Sequence, residues 1–304
     1  MKMATTTGDF KTLPVDDHLE RVRRVAMAGF RYIDLSFYSI DVKESPFMAE
    51  NWRDYTASLR ALAEELGVTF VQAHLPGFNP LEEETYEEYC KATIRAVEVC
   101  GELGIENAVI HVGWKTGITK EQFFEMNREI LKPLFPAMEQ YGVHVLVENS
   151  TRANMGERYY FYTGADMKEF IQYVGHPLIG ACWDLGHAHI EGHQYQDIID
   201  LGEDLRAIHV HDNDGKADTH CALYNGSLNL DEVMTALVKS GYKGYFTFEA
   251  DSGLRHVRKG SSRRVQFEGE DRLYNPTLPM YDAMERLLFT IGKECLTAYG
   301  LYEE

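Results

Sequence analysis

The feature that most constrains this chain is an alternation of short apolar runs with longer stretches of helical periodicity. The runs lie at residues 3–7, 32–36, 69–74, 107–112, 143–148, 179–184, 207–211 and 245–249. Between them lie amphipathic segments such as LEEETYEEYCKATIRAVEVCGELG, in which apolar residues recur every three or four positions. Strands that alternate with helices in this way predict a parallel α/β sheet.

Helix ends support the same pattern. A glycine follows a helical stretch and precedes a strand at Gly67, Gly104, Gly142 and Gly241, where a left-handed helix cap is expected. Eight strand–helix units predict a single (β/α)8 TIM barrel over residues 1–304, with a C-terminal helical extension at roughly 277–300. A doubly wound open sheet is the competing architecture, but no Gly-rich phosphate loop follows the first strand.

Charge and cysteine usage narrow the class of protein. The 304 residues carry a formal net charge of −18, which repels nucleic acid and acidic membrane surfaces. No apolar run is long enough to span a bilayer, and no apolar signal segment follows the start. The five cysteines are scattered without CxxC spacing, as expected of reduced thiols. These observations predict a cytoplasmic protein with neither a nucleic acid nor a membrane as partner.

The predicted strands share a feature at their C-terminal ends, where TIM barrels hold their active sites. Six successive strands end in a potential metal ligand or acid/base group. These residues are His74, His111, Glu148, Asp184, His211 and Glu249. Carboxylates that converge in one cavity repel one another unless they are protonated or bridged by a cation. The pattern therefore predicts a cation site at the mouth of the barrel.

The chemistry of the last four strand ends defines the donor set. Two glutamates, one aspartate and one histidine suit Mn²⁺, Co²⁺, Mg²⁺ or Zn²⁺, and the absence of a thiolate argues against a structural zinc site. His209 shares a strand face with His211, and we assign it a deeper, supporting role. In WDLGHAH, Gly186 permits a bend that lets Asp184 and His187 both point into the mouth. His74 and His111 either bind substrate hydroxyls or fill the rim.

Four segments resemble the xylose-isomerase-like TIM-barrel superfamily and, within it, the sugar (phosphate) isomerase/epimerase group. They are VLVENS (145–150), WDLGHAH (183–189), HVHDNDGKADTH (209–220) and FTFEAD (246–251). The resemblance implies one divalent metal, held by residues that match Glu148, Asp184, His211 and Glu249, with His187 as a substrate-oxygen ligand. It also implies a ketose or inosose substrate and a homo-oligomer, a dimer or tetramer. We expect Mn²⁺ first, with Co²⁺, Mg²⁺ or Zn²⁺ as alternatives.

The zinc-dependent abasic-site endonucleases share this barrel, and the resemblance to them implies three metals. Their extra ligands are strand-end histidines, which His74 and His111 resemble, and an Asp-x-His, which Asp218 and His220 resemble. The acidic charge argues against this activity, because a DNA-binding groove needs clustered Lys and Arg. One segment departs from the acidic character of the chain, the basic run RHVRKGSSRR (255–264). It either binds a phosphorylated sugar or is a solvated insertion.

The chain departs from the sugar-enzyme pattern at two places. After the Asp-x-His it reads CALYNGSLN (221–229), where those enzymes usually have a Pro/Gly-Glu-Gly turn. An arginine often found shortly after the metal histidine in epimerases is replaced by Lys216 or by nothing. Both departures bear on the substrate and leave the metal ligands unaffected.

The expected chemistry is proton transfer beside a carbonyl, with a metal stabilising the enediolate. Glu148 and Glu249 flank the sugar on opposite faces, so that epimerisation uses both and aldose–ketose isomerisation uses one. His187 holds the polarised oxygen. Other residues are assigned to the substrate: Lys216 or Asn213 to a distal hydroxyl, and Trp114, Trp183 and Phe78 to an apolar wall or to packing. A dehydratase acting on an inosose or dehydroshikimate-like ketone is the closest alternative, and a non-catalytic sugar-binding barrel is another.

Overall fold

The structure is a computed structural model that describes residues 1–10, 13–14, 16–40, 45–81, 86–250, 254 and 275–304. The basic run at 255–264 lies outside the described residues, so the two interpretations given for it stay predictions. Among the described residues, no helix combines the length and the apolar character that crossing a membrane requires.

Eight parallel strands close into a barrel in chain order, with β1 hydrogen-bonded to β8. The strands are β1 Met3–Thr6, β2 Tyr32–Ser36, β3 Thr69–His74, β4 Asn107–Ile110, β5 His144–Glu148, β6 Ile179–Asp184, β7 Leu205–Val210 and β8 Phe246–Phe248. The predicted single (β/α)8 TIM barrel is confirmed. Four strands, β1, β4, β7 and β8, end earlier than predicted, so that His111, His211 and Glu249 lie just beyond the last three of them.

Helices follow the strands around the outside of the barrel. They are α1 His18–Ala28, α2 Trp52–Leu66, α3 Tyr86–Leu103, α4 Lys120–Leu131, α5 Phe135–Tyr141, α6 Arg152–Met155, α7 Gly164–Val174, α8 Leu185–Glu191, α9 Tyr195–Leu201, α10 Leu230–Ser240 and α11 Leu278–Ala298. The C-terminal helix α11 packs against α1 and β1, and so forms part of the ring of helices. The four glycines predicted to cap helices all have a positive φ, between 63° and 74°.

Two register shifts decide which side chains meet inside the barrel. Between β2 and β3 the pairing moves from Ile33↔Phe70 to Asp34↔Gln72, which leaves Val71 as an extra residue. Between β6 and β7 it moves from Ala181↔Leu205 to Cys182↔Ala207, and the shifted register pairs Asp184 with His209. Residues paired across parallel strands point to the same face, so each shift brings two polar side chains together.

The helix–strand layer contains a buried acid, and no cationic side chain among the described residues pairs with it. Glu285 of α11 is 1% exposed and accepts a hydrogen bond of 3.1 Å from the Thr5 hydroxyl of β1. It also hydrogen-bonds the Asp9 carboxyl. Burial raises the pKa of Glu285 to about 7. The folded protein therefore holds a proton here that an unfolded glutamate releases near pH 4.5.

This pKa shift predicts a pH-dependent stability. The raised pKa stabilises the fold fully below about pH 4.5, and the stabilisation is lost as the pH rises through about 7. Glu285→Gln keeps the hydrogen bonds without the charge, so we expect it to remove on the order of 2–3 kcal/mol of pH dependence between those values. Urea unfolding of both proteins at several pH values measures this. Parallel stability–pH curves for the two proteins would contradict it.

Candidate metal centre

Four side chains at the C-terminal mouth of the barrel form what we call the first cluster: Glu148, Asp184, His209 and Glu249. One ligand atom from each lies within 4.8 Å of all the others. The Nδ1 atom of His209 lies 2.8 Å from Glu148 Oε1 and 3.2 Å from Glu249 Oε2. Three carboxylates and one imidazole therefore converge on one point, as a divalent cation requires.

A second cluster lies beside the first and contains His187, His211, Asp218 and His220, again with ligand atoms within 4.8 Å of one another. Asp218 Oδ2 lies 3.1 Å from His187 Nε2 and 3.3 Å from His220 Nε2. The His211 and His220 rings stack with centroids 3.8 Å apart. Asp184 joins the two clusters, because its Oδ1 lies 3.0 Å from His211 Nε2.

A third cluster is made of His74, His111 and Glu148. Glu148 Oε2 lies 3.4 Å from His74 Nε2 and 3.2 Å from His111 Nε2, while its Oε1 faces His209. The single buried carboxyl of Glu148 thus joins the first and third clusters through its two oxygens. The three clusters, together with a fourth group in which Cys182 joins Glu148 and His209, form one continuous array of potential ligands.

The charges in this array are strongly coupled. Burial opposes ionisation of Glu148, but His111 and His209 hold its pKa well below the usual range. The imidazoles beside Asp184 likewise lower its pKa to about 2 despite burial. Burial disfavours the charged form of His187, yet Asp184 and Asp218 raise its pKa to about 10. Protonated imidazoles can balance these carboxylates, and a divalent cation can replace the protons because imidazole binds metals in its neutral form.

Buried atoms without hydrogen bonds test whether the array fits a metal. Among the described residues, four such atoms belong to the clusters: Glu148 Oε2, His111 Nδ1, His211 Nδ1 and Asp218 Oδ1. Buried polar atoms are normally paired, so unpaired ones in a group of ligand-type side chains indicate a missing ion or water. The oxygen-rich first cluster suits Mn²⁺ or Mg²⁺ as well as Zn²⁺, and the three imidazoles of the second favour Zn²⁺ or Co²⁺.

The structure brings together three of the four predicted metal ligands, with His209 in the place we assigned to His211. His209 lies within β7, where the register shift pairs it with Asp184. His211 lies beyond the end of β7 and joins the second cluster instead. The two histidines share a strand face only while the backbone remains extended, and the strand ends between them.

The predicted substrate-binding residues differ in their burial and in the groups they contact. His74 and His111 point into the third cluster, and Trp114 is partly buried against the core. Asn213 is fully buried. Its side-chain NH2 donates a hydrogen bond to the Gly186 carbonyl oxygen, and its side-chain oxygen accepts one from the Gly215 N–H. This placement gives Asn213 a structural role and removes it from our proposed substrate set. Lys216 is exposed on the loop after β7.

One aromatic residue proposed for the wall lies elsewhere. Trp183 is fully buried, and it alternates along β6 with Cys182 and Asp184, so it belongs to the layer between strands and helices. Phe78 is partly buried and packs against the core, beside Tyr89. Trp114 and Phe78 therefore stay in the proposed wall, and Trp183 does not.

Sequence reasoning missed two polar residues beneath the first cluster. Asp34 and Gln72 occur within predicted apolar strands, and both are about as buried as the core, at 1% and 2% exposed. Gln72 Nε2 lies 2.7 Å from Asp34 Oδ2 and 2.9 Å from His209 Nε2. A polar residue inside a strand of a fully covered barrel needs a buried partner, and that was the signal available in the sequence.

Gly186 offers a test of the second cluster. A Cβ atom at this position would lie 1.9 Å from the His211 ring, which stacks on His220, so the stacked pair would have to shift to make room. We expect Gly186→Ala to displace His211, with a loss of about 1–3 kcal/mol in the free energy of unfolding. We also expect it to weaken Zn²⁺ binding at the second cluster. Urea unfolding and a Zn²⁺ titration measure the two effects.

A double-mutant cycle supplies the control for Gly186→Ala. Truncation by His211→Ala removes the ring, so the alanine at 186 should then cost much less stability. If Gly186→Ala costs the same in both backgrounds, the clash with His211 is not its cause.

Comparisons with known proteins identify relatives of this chain. Residues 22–265 match the model of the family described as xylose isomerase-like TIM barrel. Fructoselysine 3-epimerase of Escherichia coli O157:H7 is 31% identical over 85 residues, covering 28% of this chain and 31% of that protein. Probable endonuclease 4 of Sulfurihydrogenibium sp. is 27% identical over 169 residues, covering 49% of this chain and 58% of that protein. The chain spans about half the length of the first curated relatives it matches.

Solved structures show the same fold. A D-tagatose 3-epimerase-like protein superposes with a TM-score of 0.71 at 18% identity, over 98% of both chains. The family model covers most of the chain, and the closed barrel carries the ligand-type side chains at its C-terminal mouth. The chain therefore belongs to the xylose isomerase-like TIM barrel family.

Proposed function

We propose that this protein is a divalent-metal-dependent sugar isomerase or epimerase that moves a proton beside the carbonyl of a ketose or related polyol ketone. The observation that carries the proposal is the first cluster, in which Glu148, Asp184, His209 and Glu249 converge at the mouth. The similarity to proteins named as sugar 3-epimerases supports the same reaction class.

The first cluster is the proposed metal site, with Mn²⁺ as the first candidate. When bound there, a divalent cation supplies Lewis-acid stabilisation of negative charge on the substrate oxygens. The choice of His209 over His211 as the histidine ligand follows from the distances of His209 Nδ1 to Glu148 and Glu249. Carboxylate oxygens and one imidazole form a donor set that Mn²⁺, Co²⁺, Mg²⁺ and Zn²⁺ all accept.

We assign the proton transfer to two carboxylates. Glu148 is fully buried on β5, and Glu249 is partly exposed just after β8, so they approach the mouth from different sides of the barrel. In our proposal one takes the proton from the carbon beside the carbonyl. The other returns a proton to the opposite face, which inverts the carbon. A single carboxylate that serves both steps gives aldose–ketose isomerisation instead.

Histidines around the carboxylates are proposed to bind the substrate oxygens. His187 Nδ1 faces the Asn149 carbonyl oxygen at 2.9 Å, which fixes the ring and leaves Nε2 directed at Asp218 and the mouth. His74 Nδ1 is held in the same way by the Leu75 carbonyl oxygen. Rings fixed by the backbone present their second nitrogen in a defined direction, which suits the orientation of hydroxyl groups.

A second candidate function rests on the number of clusters. The three clusters joined by Glu148 and Asp184 resemble the three-metal site that the resemblance to abasic-site endonucleases implies, and part of the chain is similar to a protein named probable endonuclease 4. The net charge of −18 opposes this function, since DNA phosphates need clustered cationic side chains. Sugar chemistry is therefore the first proposal. The expectation of a dimer or tetramer stays a prediction.

Two measurements on the same preparation separate these functions. Metal-free protein is reloaded with Mn²⁺ or Zn²⁺, and bound metal is counted by mass spectrometry. Ketohexoses, inososes and their phosphates are then followed by proton NMR in D₂O, beside cleavage of a DNA duplex with one abasic site. Solvent deuterium entering beside the carbonyl supports the sugar enzyme. Cleavage of the duplex, with three Zn²⁺ per chain and no sugar exchange, would overturn it.

A further inference from the structure

One asparagine beside the clusters is fully buried and takes no part in the proposed chemistry. Asn149 directly follows Glu148, the last residue of β5. Its side-chain NH2 donates a hydrogen bond to the Asp184 carbonyl oxygen at 3.0 Å, and its side-chain oxygen accepts one from the Asp184 N–H at 2.6 Å. A single amide therefore pairs with both backbone polar groups of a proposed metal ligand.

Asp184 lies beyond the ladder that joins β5 to β6. The last residues paired between these strands are Glu148 and Cys182, two positions before Asp184. Buried backbone groups are almost always hydrogen-bonded, and an amide side chain offers the same donor and acceptor as a peptide. The side chain of Asn149 therefore continues the ladder after the β5 backbone has ended.

The segment that carries Asn149 is itself held on both sides. The Tyr159 hydroxyl donates to the Glu148 carbonyl oxygen at 2.9 Å. The Ser150 N–H donates to the Phe161 carbonyl oxygen at 3.0 Å. Asn149 thus connects Asp184 to a fixed part of the backbone after β5.

The backbone carbonyl of Asn149 contacts a second member of the clusters. It lies 2.9 Å from Nδ1 of His187, and a carbonyl oxygen can only accept, so Nδ1 carries the proton. The lone pair of the neutral ring is then on Nε2, which lies 3.1 Å from Asp218 Oδ2 in the second cluster. Asp184 Oδ1 accepts the His187 backbone N–H at 2.6 Å, which ties the two residues together.

We propose that Asn149 is a positioning residue for Asp184 and His187. Its side chain holds the Asp184 backbone and its carbonyl holds the His187 ring, so that the Asp184 carboxylate and His187 Nε2 are in place before a cation binds. Loss of a group that orients metal ligands typically lowers metal affinity about 10–100-fold. This inference rests on the metal site of the proposed function but not on its sugar chemistry.

The test uses Zn²⁺ alone as the probe. The full chain is compared with its Asn149→Ala and Asn149→Ser variants. The control is Asn107→Ala, which makes the same change at the first residue of β4, at the opposite end of the barrel from the mouth. Competition with a chromophoric chelator gives the Zn²⁺ affinity. The protonated nitrogen of His187 is read by ¹⁵N NMR of the Zn²⁺-loaded protein, with His187→Gln used to assign the signals.

We expect Zn²⁺ affinity to fall about 100-fold in Asn149→Ala, which pairs with neither backbone group of Asp184. It should fall about 10-fold in Asn149→Ser, whose hydroxyl can pair with one of them. Asn107→Ala should stay within about twofold of the unaltered protein. The unaltered protein should show the His187 proton on Nδ1.

Other results would overturn the proposal. Unchanged Zn²⁺ affinity in both Asn149 variants, or an equal fall in Asn107→Ala, removes the positioning role and leaves the metal site intact. A His187 proton on Nε2 has the same consequence. Protein that binds no Zn²⁺ overturns the metal site and this inference together. If Asn149→Ala does not fold, Asn149→Ser and the NMR spectrum of the unaltered protein decide the question.

Discussion

Glu148→Gln should reduce exchange of the substrate proton with solvent by at least about 1,000-fold. The substitution removes a carboxylate that we place both in the proton transfer and in the metal site, and general acid–base catalysis alone is worth about 100- to 10,000-fold. It also removes the group that joins the first and third clusters. Proton NMR of a ketohexose in D₂O, with saturating Mn²⁺, measures the exchange.

The control for this experiment is Glu64→Gln, an exposed glutamate on α2 far from the mouth. It makes the same chemical change and should leave exchange within about twofold, because exposed substitutions away from such features have small effects. Glu249→Gln should behave like Glu148→Gln. Exchange that continues in both Glu148→Gln and Glu249→Gln would refute the assignment of these carboxylates to proton transfer.

The barrel and the level of the site could be predicted from the sequence because both depend on local patterns. Apolar runs bounded by polar turns marked all eight strands, and strand ends share one level in a parallel barrel. Glu148 and Asp184 fall at the last positions of β5 and β6 as predicted. Their convergence follows from topology, which the alternation of elements already determines.

Which histidine faces Glu148 and Glu249 could not be predicted, because it depends on the register between strands. His209 and His211 both occur at the end of one apolar run, and either could have faced the carboxylates. The extra residue in β7 relative to β6 pairs His209 with Asp184, and nothing in the local sequence marks such a shift. The same is true of Asp34, whose alignment with Gln72 depends on the shift between β2 and β3.

The sequence predicts the depth of Trp183 only once the inner face of β6 is known. Trp183 lies between two residues that point into the barrel, so the strand periodicity places it on the outer face of β6. Strand periodicity divides the side chains of β6 between two faces but does not say which face points into the barrel. The assignment of Asp184 as a metal ligand decides this, because a ligand at the mouth must point inward.

Substitution of the two histidines by glutamine separates the clusters. His209→Gln should lower the affinity of the first cluster for Mn²⁺ by at least about 100-fold, since it removes the imidazole that faces Glu148 and Glu249. It should also lower stability, because the buried carboxyl of Glu148 loses a partner that balances its charge. His211→Gln should leave Mn²⁺ affinity at the first cluster within about tenfold, because His211 contacts only Asp184 of that set among the described residues.

Free Mn²⁺ measured by electron paramagnetic resonance during titration gives the affinity of each variant, and a parallel Zn²⁺ titration follows the second cluster. The two variants should have opposite effects on the two metals. His209→Gln should weaken Mn²⁺ binding at the first cluster, and His211→Gln should weaken Zn²⁺ binding at the second cluster. Each variant is therefore the matched control of the other, with the same chemical change two residues apart on one chain. A loss of Mn²⁺ in His211→Gln with normal binding in His209→Gln would return the metal to the histidine first predicted from the sequence.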